Sequence, residues 1–71
     1  MYDGSFQALL GRRVLVKPKP GVIREGIARR VETGGDEYLL VVDLDGRDGI
    51  GRTFDADHVI GPKNPLPRRM R

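Results

Sequence analysis

Cysteine and tryptophan are both absent from this 71-residue chain, and only four of its residues are aromatic. Without cysteine the chain has neither the disulfides that staple small secreted domains nor a thiolate metal site. The composition therefore agrees best with a reducing, cytoplasmic setting. The small number of aromatic residues weakens the prediction that this chain binds single-stranded nucleic acid by stacking on successive unpaired bases.

Long hydrophobic runs are missing as well. The longest aliphatic stretch covers only residues 39–42, which is far short of the roughly 20 residues that cross a bilayer. The N-terminus lacks the basic segment followed by an apolar run that is typical of a secretory signal. We therefore expect no membrane span, no leader peptide and no membrane partner.

Charge is strongly segregated along the chain, although the net charge is only +3. Residues 1–31 carry seven Lys and Arg and two acidic residues, whereas residues 32–61 carry two Arg and eight acidic residues. The last ten residues add four basic residues and no acid. A chain of this kind can turn a basic face toward a polyanion. The alternative is that folding mixes both signs over a solvated surface.

The first half of the chain predicts short strands after one helical turn. Residues 5–11 predict that turn, capped by Ser5, and its apolar side chains are expected to plug an open end of a sheet. Residues 13–17 alternate charged and apolar side chains, which indicates a strand with one solvated face. The two prolines that follow predict a loop over residues 17–21, because proline removes ladder donors.

The middle of the chain predicts a hairpin. A strand over residues 26–33 needs a bulge near Arg29 and Arg30 to bring its apolar residues into phase. Residues 34–37 have the composition of a hairpin turn, and residues 38–44 form a central strand that is apolar on both faces. Since a small barrel has one interior, the second face is covered by the N-terminal turn or by a partner, or remains an exposed patch through which a homodimer can form.

The remaining elements complete an all-β prediction. Residues 45–51 predict a turn, residues 52–54 a short strand, residues 55–58 a helical turn capped by Asp55, and residues 59–60 a closing strand. Five short strands in so small a chain predict a strongly bent five-stranded barrel over residues 1–61. Three side chains are expected to share its core: Val16, Val42 and Phe54. Residues 62–71, rich in proline and arginine, predict a disordered basic arm.

The order of these elements resembles an SH3-like barrel, and residues 11–32 resemble a KOW motif. This segment occurs in ribosomal large-subunit proteins and in elongation factors of the NusG type. In proteins that carry it, the segment and its loop contact RNA or a protein partner, so the resemblance implies one of these roles here. The residues that carry the resemblance are Gly11, Val14, Val16, Gly21, Gly26 and Val31.

No group of residues predicts catalysis, a metal ion or a cofactor. Residues 43–49 are rich in Asp and Gly, but their spacing does not match an EF-hand calcium loop, so a solvated turn is expected. Asp55, Asp57 and His58 are close in sequence, yet no nucleophile lies at a motif-like spacing, and a structural role is the simpler interpretation. We therefore expect a non-enzymatic protein.

The basic residues predict the function. Lys and Arg contacts to phosphates supply affinity without sequence choice, so the first hypothesis is an accessory factor that binds the RNA or DNA backbone. The alternative is a protein-interaction adaptor or self-associating module, which docks through its acidic half or its apolar strand face. For the basic residues, the alternative partner is an acidic protein surface. The predicted contacts are Arg12, Arg13, Lys17, Lys19, Arg24, Arg29 and Arg30, with Arg68, Arg69 and Arg71 in the C-terminal arm.

Overall fold

The computed structural model describes residues 2, 4–46 and 48–64, and it is mainly β, as predicted. Five antiparallel strands form one sheet in the order β4-β3-β2-β1-β5. Within the described residues no ladder joins β4 to β5, so the sheet has two open edges. No described helix is long and apolar enough to cross a membrane. The strands are β1 (Arg13–Lys19), β2 (Val22–Gly34), β3 (Glu37–Leu44), β4 (Arg52–Phe54) and β5 (Val59–Pro62), and two 3₁₀ turns cover Phe6–Leu9 and Ala56–His58.

The N-terminal 3₁₀ turn, Phe6–Leu9, forms where the sequence predicts it. The hydroxyl of Ser5 accepts a hydrogen bond from the amide of Gln7 at 3.1 Å, which satisfies one donor at the start of the turn. Gly11 follows the turn with a φ of 80°, a conformation that glycine adopts without strain. Phe6 and Leu9 are buried in the core cluster, so the turn covers the inner face of the sheet.

The predicted loop over residues 17–21 is wrong in its extent. Strand β1 continues through Pro18 to Lys19, and only Pro20 and Gly21 form the turn. The register of β1 against β2 shifts between Val16 and Lys19, so Pro18 lies in an irregular part of the ladder where its missing N–H is tolerated.

Strand β2 contains the predicted bulge. Ala28 pairs with Val42 and Arg30 pairs with Val41, which leaves Arg29 as the extra residue. The bulge changes the phase of the strand, so that Ala28 before it is buried and Val31 after it packs against the same core. The strand starts four residues earlier than predicted, at Val22, because it pairs with the extended β1.

Strand β3 buries side chains on both of its faces, but the N-terminal turn does not cover the second face as the sequence suggested. The N-terminal turn packs with the inner face, while Val41 on the other face is only 1% exposed. The cross-strand partners of Val41 are Arg30 and Thr53, and Leu39 on the same face is half-buried. The chain thus buries Val41 by itself. The ten-residue core, which includes all three predicted side chains, comprises Phe6, Leu9, Val14, Val16, Ala28, Leu40, Val42, Leu44, Phe54 and Val59.

The last strand extends past residue 61, the last residue before the predicted C-terminal arm. Pro62 belongs to β5, and the amide of Lys63 donates to the carbonyl of Arg13 at 2.9 Å. Residues 65–71, which make up most of the predicted arm, lie outside the described residues.

Candidate binding surfaces

Two acidic and three basic residues meet beside β1 and β2, and we call them the Arg13 cluster. The Nη1 atom of Arg13 lies 2.9 Å from Oε2 of Glu25 and 3.0 Å from Oδ2 of Asp45. Lys63 Nζ lies 3.3 Å from Glu25 Oε1, and Arg24 donates to the carbonyl of Asp45 at 3.0 Å. The hydrogen bond and the charge of Asp45 raise the pKa of Arg13 above its ordinary value. Two predicted phosphate contacts are thus engaged here: Arg13 pairs with two carboxylates, one of which it shares with Lys63, and Arg24 is held by a backbone carbonyl.

The sheet register assembles this cluster from three distant parts of the chain. Glu25 stands opposite Leu15 of β1. The amide of Asp45 donates to the carbonyl of Glu25 at 2.9 Å, which continues the β2–β3 ladder beyond the end of β3. Because side chains on opposed positions share a face, Glu25 and Asp45 come within reach of Arg13.

Two further predicted contacts also have acidic partners. Arg29 Nε lies 3.3 Å from Asp43 Oδ2, and Arg30 Nε lies 2.9 Å from Glu32 Oε2. Both arginines remain about half exposed, with relative side-chain areas of 46% and 55%. Exposed ion pairs contribute only about 0–1 kcal/mol, so a phosphate can replace the carboxylate at little cost.

The remaining described contacts are Arg12, Lys17 and Lys19. All three are exposed, and within the described residues none of them forms an ion pair. They do not form one patch, because Arg12 precedes β1 and Lys19 ends it, a separation of about 23 Å along a strand. The structure therefore places these cations along β1 and brings only Arg13 and Arg24 together. Arg68, Arg69 and Arg71 lie outside the described residues.

The carboxylate of Asp55 contacts the side chain of His58 and does not cap the second 3₁₀ turn. Asp55 occupies the position before the second 3₁₀ turn, as predicted, but its carboxylate makes no capping bond. Its Oδ1 atom lies instead 2.7 Å from Nδ1 of His58. This hydrogen bond lowers the pKa of Asp55 below its ordinary value. Among the described residues, no three acidic or histidine side chains are grouped so that they could hold a metal ion.

Asp43, the first residue of the Asp- and Gly-rich segment, fastens the turn that follows. Its Oδ1 atom accepts a hydrogen bond from the amide of Gly51 at 2.8 Å, while Oδ2 pairs with Arg29. Both oxygens of the carboxylate are therefore engaged by the protein itself.

A groove of about 750 Å³ lies beside the N-terminal turn, and no motif in the sequence predicts it. The N-terminal turn, the end of the β2–β3 hairpin and the second 3₁₀ turn form its walls. Apolar atoms come from Phe6, Val31, Tyr38 and Ala56, and the acidic side chains on its rim are Glu37, Asp55 and Asp57. Its described lining contains no Lys or Arg.

Tyr38 is the only sequence signal that could have pointed to this groove. It continues the alternation of Leu40 and Val42, yet 66% of its surface is exposed because the core ends before it. The other walls come from segments far apart in the chain, so no local motif marks the site.

Comparisons with protein-family models, with curated proteins and with solved structures found no match to this chain.

Proposed function

We propose that this chain is a non-enzymatic module with an SH3-like barrel architecture that binds the phosphate backbone of nucleic acid. The strand order, in which β1 lies between β2 and β5, supports this architecture, as does the 3₁₀ turn directly before β5. The KOW-like glycines support it too. Gly11 and Gly21 have φ values of 80° and 81° at turns, and Gly26 is buried where β2 crosses β3 closely.

The observation that carries the proposal is the row of exposed cations along β1. Lys17 and Lys19 extend from the strand without an acidic partner among the described residues, and Arg12 does so at its start. Spaced cations on an extended strand suit a ligand whose charges also repeat along a line. Their contacts add affinity and no sequence choice.

The ion-paired arginines can supply further phosphate contacts. The pairs of Arg29 and Arg30 are exposed and weak, so both guanidinium groups can turn from a carboxylate to a phosphate. Arg13 is held by two carboxylates and is a less available contact. We therefore rank Lys17 and Lys19 first among the contributors to affinity.

Fluorescence anisotropy with duplex DNA and with structured RNA tests the proposal. Binding should be weak, tolerant of sequence and lost as salt rises. Replacing Lys17 and Lys19 with Gln should lower affinity and reduce the salt slope by about 2. Arg52→Gln is the control, because Arg52 is exposed, lies outside the predicted contacts and donates to the carbonyl of Asp48.

Two results would reject the proposal. One is the absence of binding to either nucleic acid at low salt, which would favour the protein-adaptor alternative. The other is a loss of affinity in Arg52→Gln equal to the loss in Lys17→Gln alone or in Lys19→Gln alone. This result would show that only net charge matters.

A further inference from the structure

The groove has the chemistry of a site for a segment that is both apolar and cationic. Its apolar surface includes the exposed ring of Tyr38, and its rim carries three carboxylates with no described cation between them. A ligand that brought apolar side chains alone would leave the carboxylates of Glu37 and Asp57 without partners, and a simple cation would leave the exposed ring of Tyr38 uncovered.

We infer that this groove is the docking site for the C-terminal segment of the same chain, residues 65–71. The segment contains three arginines together with Leu66 and Met70, so its charge complements the acidic rim, where Asp55 is already bonded to His58 but Glu37 and Asp57 have no ion pair among the described residues, and its apolar side chains suit the groove floor. Its two prolines reduce the entropy that an extended segment loses on binding.

Strand β5, which ends two residues before the last described residue, passes close to the groove, so the segment that follows can reach it. A Cβ atom on Gly61 of β5 would lie 3.4 Å from the ring of Tyr2, and that ring stacks on Phe6 with centroids 6.2 Å apart. Phe6 in turn lines the groove. Only a few side chains thus separate β5 from the groove, whereas seven extended residues span about 23–25 Å.

Because the C-terminal segment is covalently joined to the domain, weak contacts are enough to keep it docked in the groove. A segment joined to its site by a short linker has an effective concentration in the millimolar range, so a low intrinsic affinity still populates the docked state. The contacts are exposed ion pairs, which salt screens, so docking is reversible. The docked segment withholds Arg68, Arg69 and Arg71 from phosphates, and the groove acts as an internal competitor of nucleic acid.

Paramagnetic relaxation in the full chain tests the inference without any nucleic acid, so its outcome is independent of the proposed function. The absence of cysteine allows a single nitroxide to be attached through Met70→Cys. We expect selective loss of the amide signals of Phe6, Val31 and Ala56, and recovery of these signals in high salt. In unlabelled protein, Arg68→Gln with Arg69→Gln should shift the same amides.

Matched charge variants separate docking in the groove from general attraction. Glu37→Gln with Asp57→Asn should abolish the selective signal loss, because both carboxylates stand on the rim. Asp36→Asn with Asp48→Asn changes the net charge by the same amount at exposed positions outside the groove lining and should preserve it.

Three outcomes would overturn the inference. The first is no signal loss, or a uniform loss over the chain. The second is a loss that persists in the rim variant. The third comes from mixing isotope-labelled chain without nitroxide and spin-labelled chain without isotope: signal loss in that mixture equal to that in the doubly labelled chain would show that the segment docks on a second copy.

Discussion

Arg13 of β1 and Asp45, which follows β3, form an ion pair with 3.0 Å between Nη1 and Oδ2. The charge pattern of the sequence assigns Arg13 to phosphate, yet the folded chain holds this guanidinium with its own carboxylates. Affinity for a polyanion therefore depends on how firmly each cation is held as well as on how many cations are present.

Asp45→Asn should increase affinity for duplex DNA by up to about fivefold, because it releases Arg13 from one of its two exposed ion pairs. Anisotropy titrations at low salt measure the change. Asp48→Asn removes the same charge from an exposed position whose side chain has no ion pair among the described residues, and it should have a smaller effect. Equal gains in both variants would mean that net charge alone governs affinity.

Gly26→Ala should destabilise the fold by about 1–3 kcal/mol through overpacking. A Cβ atom on Gly26 would contact the carbonyl oxygen of Asp43 and lie 2.7 Å from Cα of Leu44, and backbone cannot move aside cheaply. The control is Gly34→Ala, whose Cβ would meet only the flexible end of Leu39 at 3.0 Å. Urea denaturation of both variants measures the difference, and a Gly26→Ala protein as stable as the control would contradict the close approach.

Truncation of the shared core should cost about 1–5 kcal/mol for each of Val16→Ala, Val42→Ala and Phe54→Ala, since each removes buried contacts and leaves a cavity. Val16 and Val42 are 0% exposed and Phe54 is 7% exposed. Ile23→Ala is the control, because Ile23 is 60% exposed. Thermal melts that place all four variants at the transition temperature of the parent would disprove the packing described for β1, β3 and β4.

Asp55 should titrate below its ordinary pKa of 3.8, because its carboxylate is hydrogen-bonded to His58. A folded-state pKa that is lowered contributes stability above the unfolded value, and this contribution is lost as pH falls through the folded pKa. Side-chain carboxyl shifts followed by NMR against pH measure the value. His58→Gln should return the pKa toward 3.8; an unchanged titration in that variant would assign the lowered pKa to another cause.

Local patterns explain why much of the sheet was predictable. Strands β3 and β4, the tight hairpin and the bulge at Arg29 follow from alternation and from glycine positions. The end of β1 was missed because two prolines normally stop a strand, whereas here Pro18 lies where the ladder is already irregular.

The binding surfaces were less predictable than the strands. Sequence identified the basic residues, but it could not show that Arg13, Arg29 and Arg30 each face an acid. The groove escaped prediction altogether, since its walls come from the N-terminal turn, the hairpin and the second 3₁₀ turn.

The sequence by itself determined where most of the strands lie and that Val16, Val42 and Phe54 face inward, because a strand repeats every two residues and its pattern is legible within a few positions. Only the tertiary structure decided which charges neutralise one another and where a concave surface forms. Arg13 and Asp45 are 32 residues apart and meet only through the register of three strands. A shift of one residue in that register would turn every side chain to the other face, so these contacts belong to the assembled sheet and not to any segment of it.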